Sequence, residues 1–163
     1  MKISNIKELD RKLSEPTKEL IQDMKHIQGG IMILGIGGKM GPSLATLALE
    51  SIKIAGVDKK VYGVSRFSNK QMESSLQDAG VITIAGDLLD DEFLNKLPDC
   101  ENVIYMAGNK FGTTGNEHFT WAMNAYLPGR VAERYANSKI VVFSSGNIYP
   151  FMPVSGQGAD ESI

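Results

Sequence analysis

A chain of 163 residues and 17.7 kDa is one domain's worth of polypeptide, long enough to bury a substantial core. Its 17 Lys+Arg against 19 Asp+Glu leave a formal charge of −2, which offers no electrostatic footprint for nucleic acid or an anionic membrane. A hydrophobic share of 42% excludes a mainly disordered chain, and the single cysteine, Cys100, excludes an internal disulfide framework and fits a reducing compartment.

Residues 1–30 read as a helical arm. Asn5 with Glu8 three residues on resembles a capping box, and Ser14 with Pro16 in the first turn looks like a second helix start. Leu20, Ile21, Met24 and Ile27 share one helical face, and Gly29-Gly30 ends it. This face is expected to pack on the rest of the domain or on a partner chain. The stretch mixes both charges and has no apolar signal core, and no apolar run reaches the roughly 18–20 residues that span a bilayer, so a cytoplasmic protein is expected.

From Ile31 the period changes. Ile31–Leu34 is a short, wholly apolar run, and 61–64, 81–84, 102–106 and 139–143 are four more. Such runs without alternation are what strands buried on both faces look like, as in a parallel sheet. Helix-like stretches at 41–55, 68–78, 90–97 and 115–137 separate them. The alternation predicts an α/β fold, a doubly wound parallel sheet of the Rossmann kind with five or more strands, over 31–150. Phe119, Trp121 and Met123 read as one side of a buried helix. Pro150, Pro153, Gly156 and Gly158 make 151–163 a loop.

The chemistry starts at the end of the first strand, in Leu34-Gly35-Ile36-Gly37-Gly38-Lys39-Met40-Gly41. Gly35, Gly38 and Gly41 form Gly-x-x-Gly-x-x-Gly in a strand–turn–helix context. The first permits the tight turn, the second lets backbone approach a pyrophosphate, and the third allows helix and sheet to pack closely. The helix N-terminus adds free N–H groups and about +0.5 charge for the phosphates. The second strand ends Val64-Ser65-Arg66. An acid there would suit the ribose hydroxyls of NAD; Arg66, with Ser65 beside it, instead suits the 2′-phosphate of NADP.

From Ile31 to the C-terminus the chain resembles the short-chain dehydrogenase/reductase superfamily, in its extended, NAD(P)-dependent epimerase/dehydratase branch. The glycine motif, with Lys39 and Met40 inside it, matches the branch. Gly86-Asp87-Leu88 is similar to its adenine contact, Met106-Ala107-Gly108 to its backbone wall beside the nicotinamide ribose, and Asn124 to its helix asparagine. Phe143-Ser144-Ser145-Gly146-Asn147-Ile148-Tyr149-Pro150 is similar to its fifth-strand signature. The resemblance implies that Asp87, Leu88, Ala107, Gly108 and Ser144 join the cofactor site, and that Ser145 is the catalytic hydroxyl. Asp87 has a second reading as the cap of the next helix. Asn124 has one as a structural hydrogen-bonder.

The family's proton is handled by Tyr-x-x-x-Lys, in which the lysine lowers the tyrosine's pKa. Tyr135-Ala136-Asn137-Ser138-Lys139 matches literally but precedes the serine, and Lys139 begins a strand, so the two side chains would not share a helix face. Tyr149 has Pro153 where the lysine would stand. The expectation is therefore the NAD(P)-binding part of an epimerase/dehydratase or reductase, inactive alone, a fragment or truncated form whose loop at 151–163 leads into a missing catalytic and substrate region. The implied cofactor is NADP, with NAD second; a flavin or other nucleotide is a weaker option. The implied reaction is hydride transfer at a secondary alcohol or ketone of a small molecule, a sugar or sugar nucleotide, and the branch's habits imply a homodimer. The other class is a non-catalytic NADP-binding sensor on the same fold. His26 and His118 lie far apart without metal-ligand spacing, so no metal site is expected.

Overall fold

The computed structural model of the chain describes residues 3–110, 112–144 and 149–162. Two helices come first, α1 (Ile6–Leu13) and α2 (Lys18–His26), followed by β1 (Ile31–Leu34), α3 (Gly41–Ala55), β2 (Val61–Ser65), α4 (Lys70–Asp78), β3 (Ile82–Ala85), α5 (Asp91–Lys96) and β4 (Asn102–Tyr105). A composite helix then runs through α6 (Glu117–Trp121), a π-helical turn (Ala122–Tyr126) and α7 (Leu127–Arg134) before β5 (Lys139–Val142). The five strands form one parallel sheet in the order β3-β2-β1-β4-β5, the doubly wound Rossmann arrangement that the alternation predicts.

The pleat of β1 sorts the core. Met32 and Leu34 point to the face covered by α5 and α7, among Val103, Leu127 and Val131. Ile31 and Ile33 point to the other, among Ala45, Ala48, Ile52 and Leu76 of α3 and α4. Met32, Ile33 and Leu34 are all 0% exposed, so each stabilises the fold by about 1.5–3 kcal/mol. Burial on both faces, expected of every strand, holds for β1 alone in full. β3 and β5 are edge strands with one neighbour each, and much of their apolar surface stays in water: Ile82 is 41% exposed, Val141 60% and Val142 54%.

The arm docks on the domain. Met24 is buried beside Ile31 and Ile52, with Leu20 and Ile27 packed around it. Asn5 caps α1 by accepting from the Glu8 amide, while the Glu8 carboxylate reaches back to the Ser4 amide, one residue earlier than a capping box would place it. The second helix does not start at Ser14. Its cap is Thr17, which accepts from the Leu20 amide, and Ser14 is turned inward to donate to the Ser43 carbonyl of α3 at 3.2 Å. α2 also ends before the glycines, at Ile27, where the backbone becomes extended.

The composite helix carries a correction as well. Trp121 is 72% exposed, so Phe119, Trp121 and Met123 do not form one buried side. Residues two apart on a helix lie about 200° around its axis, so Phe119 and Trp121 fall on opposite sides of α6 before the π-helical turn begins at Ala122. No helix among the described residues is long and apolar enough to cross a membrane.

Candidate functional site

Four βα connections end at the carboxyl edge of the sheet, and most of the motif residues lie on them. In a sheet ordered 3-2-1-4-5 the strand order reverses between β1 and β4, and the crevice outside that switch point is where open α/β sheets take ligands.

The glycine loop leaves β1 at the switch point. Gly35 has φ +91°, and a Cβ there would fall 2.6 Å from the Ala107 amide nitrogen at the end of β4. Only glycine permits both the turn and the approach. At Gly41 a Cβ would fall 2.0 Å from the Ile36 carbonyl oxygen, which is what lets α3 start so close to β1. Gly38 differs: a Cβ would meet only the Gly35 carbonyl oxygen, at 3.5 Å, and no left-handed φ is needed. Nothing inside the protein requires glycine at 38, so the space in front of its backbone faces outward. Lys39 and Met40 follow it, both exposed. Met40 occupies the cap position of α3 without a side-chain hydrogen bond, and Pro42 has no N–H. The positive end of α3 is thus left open to solvent with no side chain filling it.

β2 supplies the next wall. Ser65 Oγ lies where a Cβ on Gly37 would come within 2.3 Å, so hydroxyl and glycine loop touch. The Ser65 carbonyl accepts from the Gly86 amide at 3.0 Å, which ties the ends of β2 and β3. Arg66 is exposed and makes no hydrogen bond or ion pair among the described residues, and the same holds for Lys39. Phe67 has φ +46°, a left-handed value that costs an L-residue roughly 1–2 kcal/mol. Its ring is 2% exposed among Ile33, Leu76 and Val81, and burial worth about 1.5–3 kcal/mol offsets that strain. Sequence reasoning missed Phe67; the only signal was a large aromatic directly after a strand-end cation.

At β3 the capping alternative for Asp87 is corrected. Asp90 caps α5, accepting from the Glu92 and Phe93 amides, while Asp87 accepts from the Leu89 amide at 3.0 Å in a local turn. An Asp carboxylate that accepts from the amide two residues on closes a local turn rather than capping a helix that starts further along. Leu88 turns its side chain into the core, 7% exposed, which leaves only its backbone for a ligand.

At β4, Ala107 abuts Gly35, and Gly108 runs under Asn124, whose Oδ1 a Cβ would approach at 3.3 Å. Asn124 holds this wall through both backbone groups of one residue. It accepts from the Asn109 amide at 2.7 Å and donates to the Asn109 carbonyl at 2.8 Å. Asn109 in turn donates to Thr120, and Tyr105 donates to the Met123 carbonyl within the π-helical turn. The structural reading of Asn124 is the one this geometry favours. Asn109 and Thr120 carried no motif and were not foreseen.

Ser144 is exposed just past β5, whose pairing continues through the Phe143 amide to the Tyr105 carbonyl. Ser145 and its neighbours Gly146, Asn147 and Ile148 lie outside the described residues.

Tyr135 is sealed away from all of this. It is 2% exposed, and its hydroxyl donates to Met32 Sδ at 2.9 Å and the Pro98 carbonyl at 3.1 Å. Burial pushes its pKa up to about 12. Lys139 is exposed at the start of β5, at the opposite edge of the sheet from the glycine loop. The literal Tyr-x-x-x-Lys therefore has neither the position nor the acidity of a proton donor. A cavity of about 290 Å³ also lies at that amino edge, lined by Asp99, Cys100, Arg134 and Ser138 among others. Arg134 pairs with Asp99 at 2.8 Å while its buried Nε has no hydrogen-bond partner among the described residues, Ser138 donates to the Cys100 carbonyl at 2.6 Å, and burial raises the Cys100 thiol. Among the described residues no group of His, Cys, Asp and Glu is placed to hold a metal.

No family model matches the sequence. No curated protein matches it significantly. Solved structures do resemble the fold. Pen from Bacillus thuringiensis has a TM-score of 0.59 at 16% identity, over 70% of this chain and 36% of its own. The Bordetella bronchiseptica enzyme WbmH, solved in complex with NAD+, has a TM-score of 0.51 at 20% identity, over 65% of this chain and 34% of its own. The chain thus spans about a third of the length of each, and at these identities the likeness is one of fold.

Proposed function

We propose that this chain is the nicotinamide-dinucleotide-binding portion of an NAD(P)-dependent enzyme of the epimerase/dehydratase or reductase type, with NADP preferred. The observation that carries the reading is Gly38: a glycine with no internal reason to be one, in front of the uncapped end of α3, at the sheet's switch point. The residues present suit the group. The Gly38–Gly41 backbone and the α3 N-terminus would hold the pyrophosphate, Lys39 and Arg66 would offer free cations, and the 2′-phosphate would fall to Arg66 with Ser65. Asp87 and the Leu88 backbone would border the adenine, with Ala107 and Gly108 beside the nicotinamide ribose and Ser144 beyond β5. When bound, the dinucleotide would supply the hydride. The reaction class is hydride exchange at a secondary alcohol or ketone, on a sugar or sugar nucleotide, with Ser145 bonded to the reacting oxygen. The NAD+ bound to WbmH, on the same fold, supports the cofactor class.

A second reading on the same fold is a dinucleotide-binding sensor without turnover, in which the buried Tyr135 moves no proton. Both readings require cofactor binding, and Gly38→Val tests it. A side chain there meets little of the protein but fills the cradle, so the thermal midpoint should stay near wild type while the affinity for NADP+ in calorimetric titration falls at least tenfold, about 1.4 kcal/mol. Unchanged affinity would remove the cradle from the site. Substrate-dependent NADPH formation by the purified chain would remove the sensor reading.

A further inference from the structure

Arg66 is exposed at the end of β2 and unpaired among the described residues, yet the residues on either side of it are fixed. Ser65 is held by the ladder and by the touch of its Oγ on Gly37. Phe67 is held by its ring, 2% exposed in the core under α3 and α4, and its amide points at Ser65 Oγ at 3.5 Å. The φ of +46° at Phe67 is the only left-handed value at a non-glycine among the described residues. A β-favouring aromatic does not choose that conformation by itself. What keeps it there is that undoing the turn would carry the ring into water. A flexible arginine loses ordering entropy when it grips a phosphate, and a loop already held in the binding shape loses less.

We propose that Phe67 is the positioning residue for cofactor choice, its buried ring holding the turn after β2 left-handed and so holding Arg66 where it recognises a 2′-phosphate. The inference rests on the dinucleotide reading above. It places specificity in a residue that touches no cofactor, with the strain at Phe67 as the structural sign.

Calorimetric titration of the whole chain with NADP+ and with NAD+ tests it. Wild type should bind NADP+ at least tenfold more tightly, and Arg66→Ala should abolish the difference. Phe67→Gly accepts the same φ but has no ring. It should lose about tenfold in NADP+ affinity while NAD+ affinity stays within about twofold, and should add nothing in the Arg66→Ala background. Equal weakening of both cofactors, or full retention of NADP+ preference, overturns the role of Phe67. If Phe67→Gly does not fold, Phe67→Leu, with a smaller anchor, is read the same way: a lower NADP+ to NAD+ ratio at unchanged NAD+ affinity supports the proposal, and an unchanged ratio overturns it. A wild type without preference, and an Arg66→Ala without effect, would overturn the Arg66 reading and this inference together. An Arg66 effect with a silent Phe67 overturns this inference alone.

Discussion

The β1–α3–β2 region and the β5 region of the same sheet are built to different tolerances. In the first, Gly35, Gly37 and Gly41 sit where any side chain would strike backbone or a hydroxyl within 2.6 Å. In the second, Val141, Val142 and Phe143 stand 60%, 54% and 44% exposed, with Trp121 72% exposed on the composite helix. The contrast teaches where shape is determined. The glycine loop is determined by contacts inside this chain, so its geometry should survive with no ligand present. The β5 surface takes little from its surroundings, and its side chains add little to stability.

The largest effect that would test this contrast is Gly35→Val. A left-handed φ and a Cβ 2.6 Å from the Ala107 nitrogen should together cost about 4 kcal/mol in denaturant unfolding. A loss under about 1 kcal/mol would mean the loop is looser than its contacts say. A middle effect comes from pH. Tyr105 and Tyr135 lie beneath the π-helical turn and α7, and burial raises both from 10.0 to about 12. Their folded pKa values lie above the unfolded ones, so their contribution is complete below pH 10 and is lost as pH climbs towards 12. Unfolding free energy measured across that range should fall steeply for wild type and less steeply for Tyr105→Phe or Tyr135→Phe. An identical slope in the variants would show that other groups carry it. The smallest effect belongs to the open side: Val141→Thr and Val142→Thr should each change stability by no more than about 0.5 kcal/mol. A cost of 2 kcal/mol or so at either would show that β5 is covered, and the two regions would no longer differ.

Much of the site was legible residue by residue. The apolar runs placed all five strands within a residue of their observed ends, the exposed edge strands β3 and β5 as well as the buried β1. Gly35, Gly41, Arg66 and Ala107 fell where the motif order predicts, at one edge of the sheet. Tyr135 was legible as a decoy, since a lysine that starts a strand cannot share a helix face with it. What stayed hidden was which of two neighbouring candidates a helix takes as its cap, and which side chains meet across a loop. Asp90 rather than Asp87 caps α5, Thr17 rather than Ser14 starts α2, and Asn124 closes on Asn109 across a loop. The π-helical turn after Trp121 leaves no mark in an apolar pattern.

By itself the sequence determined the sheet, its parallel winding and the glycine loop, because hydrophobic period and the absence of Cβ act locally and are written in the residue types. Only the tertiary structure decided which glycine is needed by the protein and which faces outward, for that depends on Ala107 arriving at Gly35 from β4 and on how the loop folds Ile36 back against Gly41. It alone decided that Phe67 is locked left-handed beside Arg66, since the strain is held by a core that forms only when α3, α4 and the sheet close around the ring.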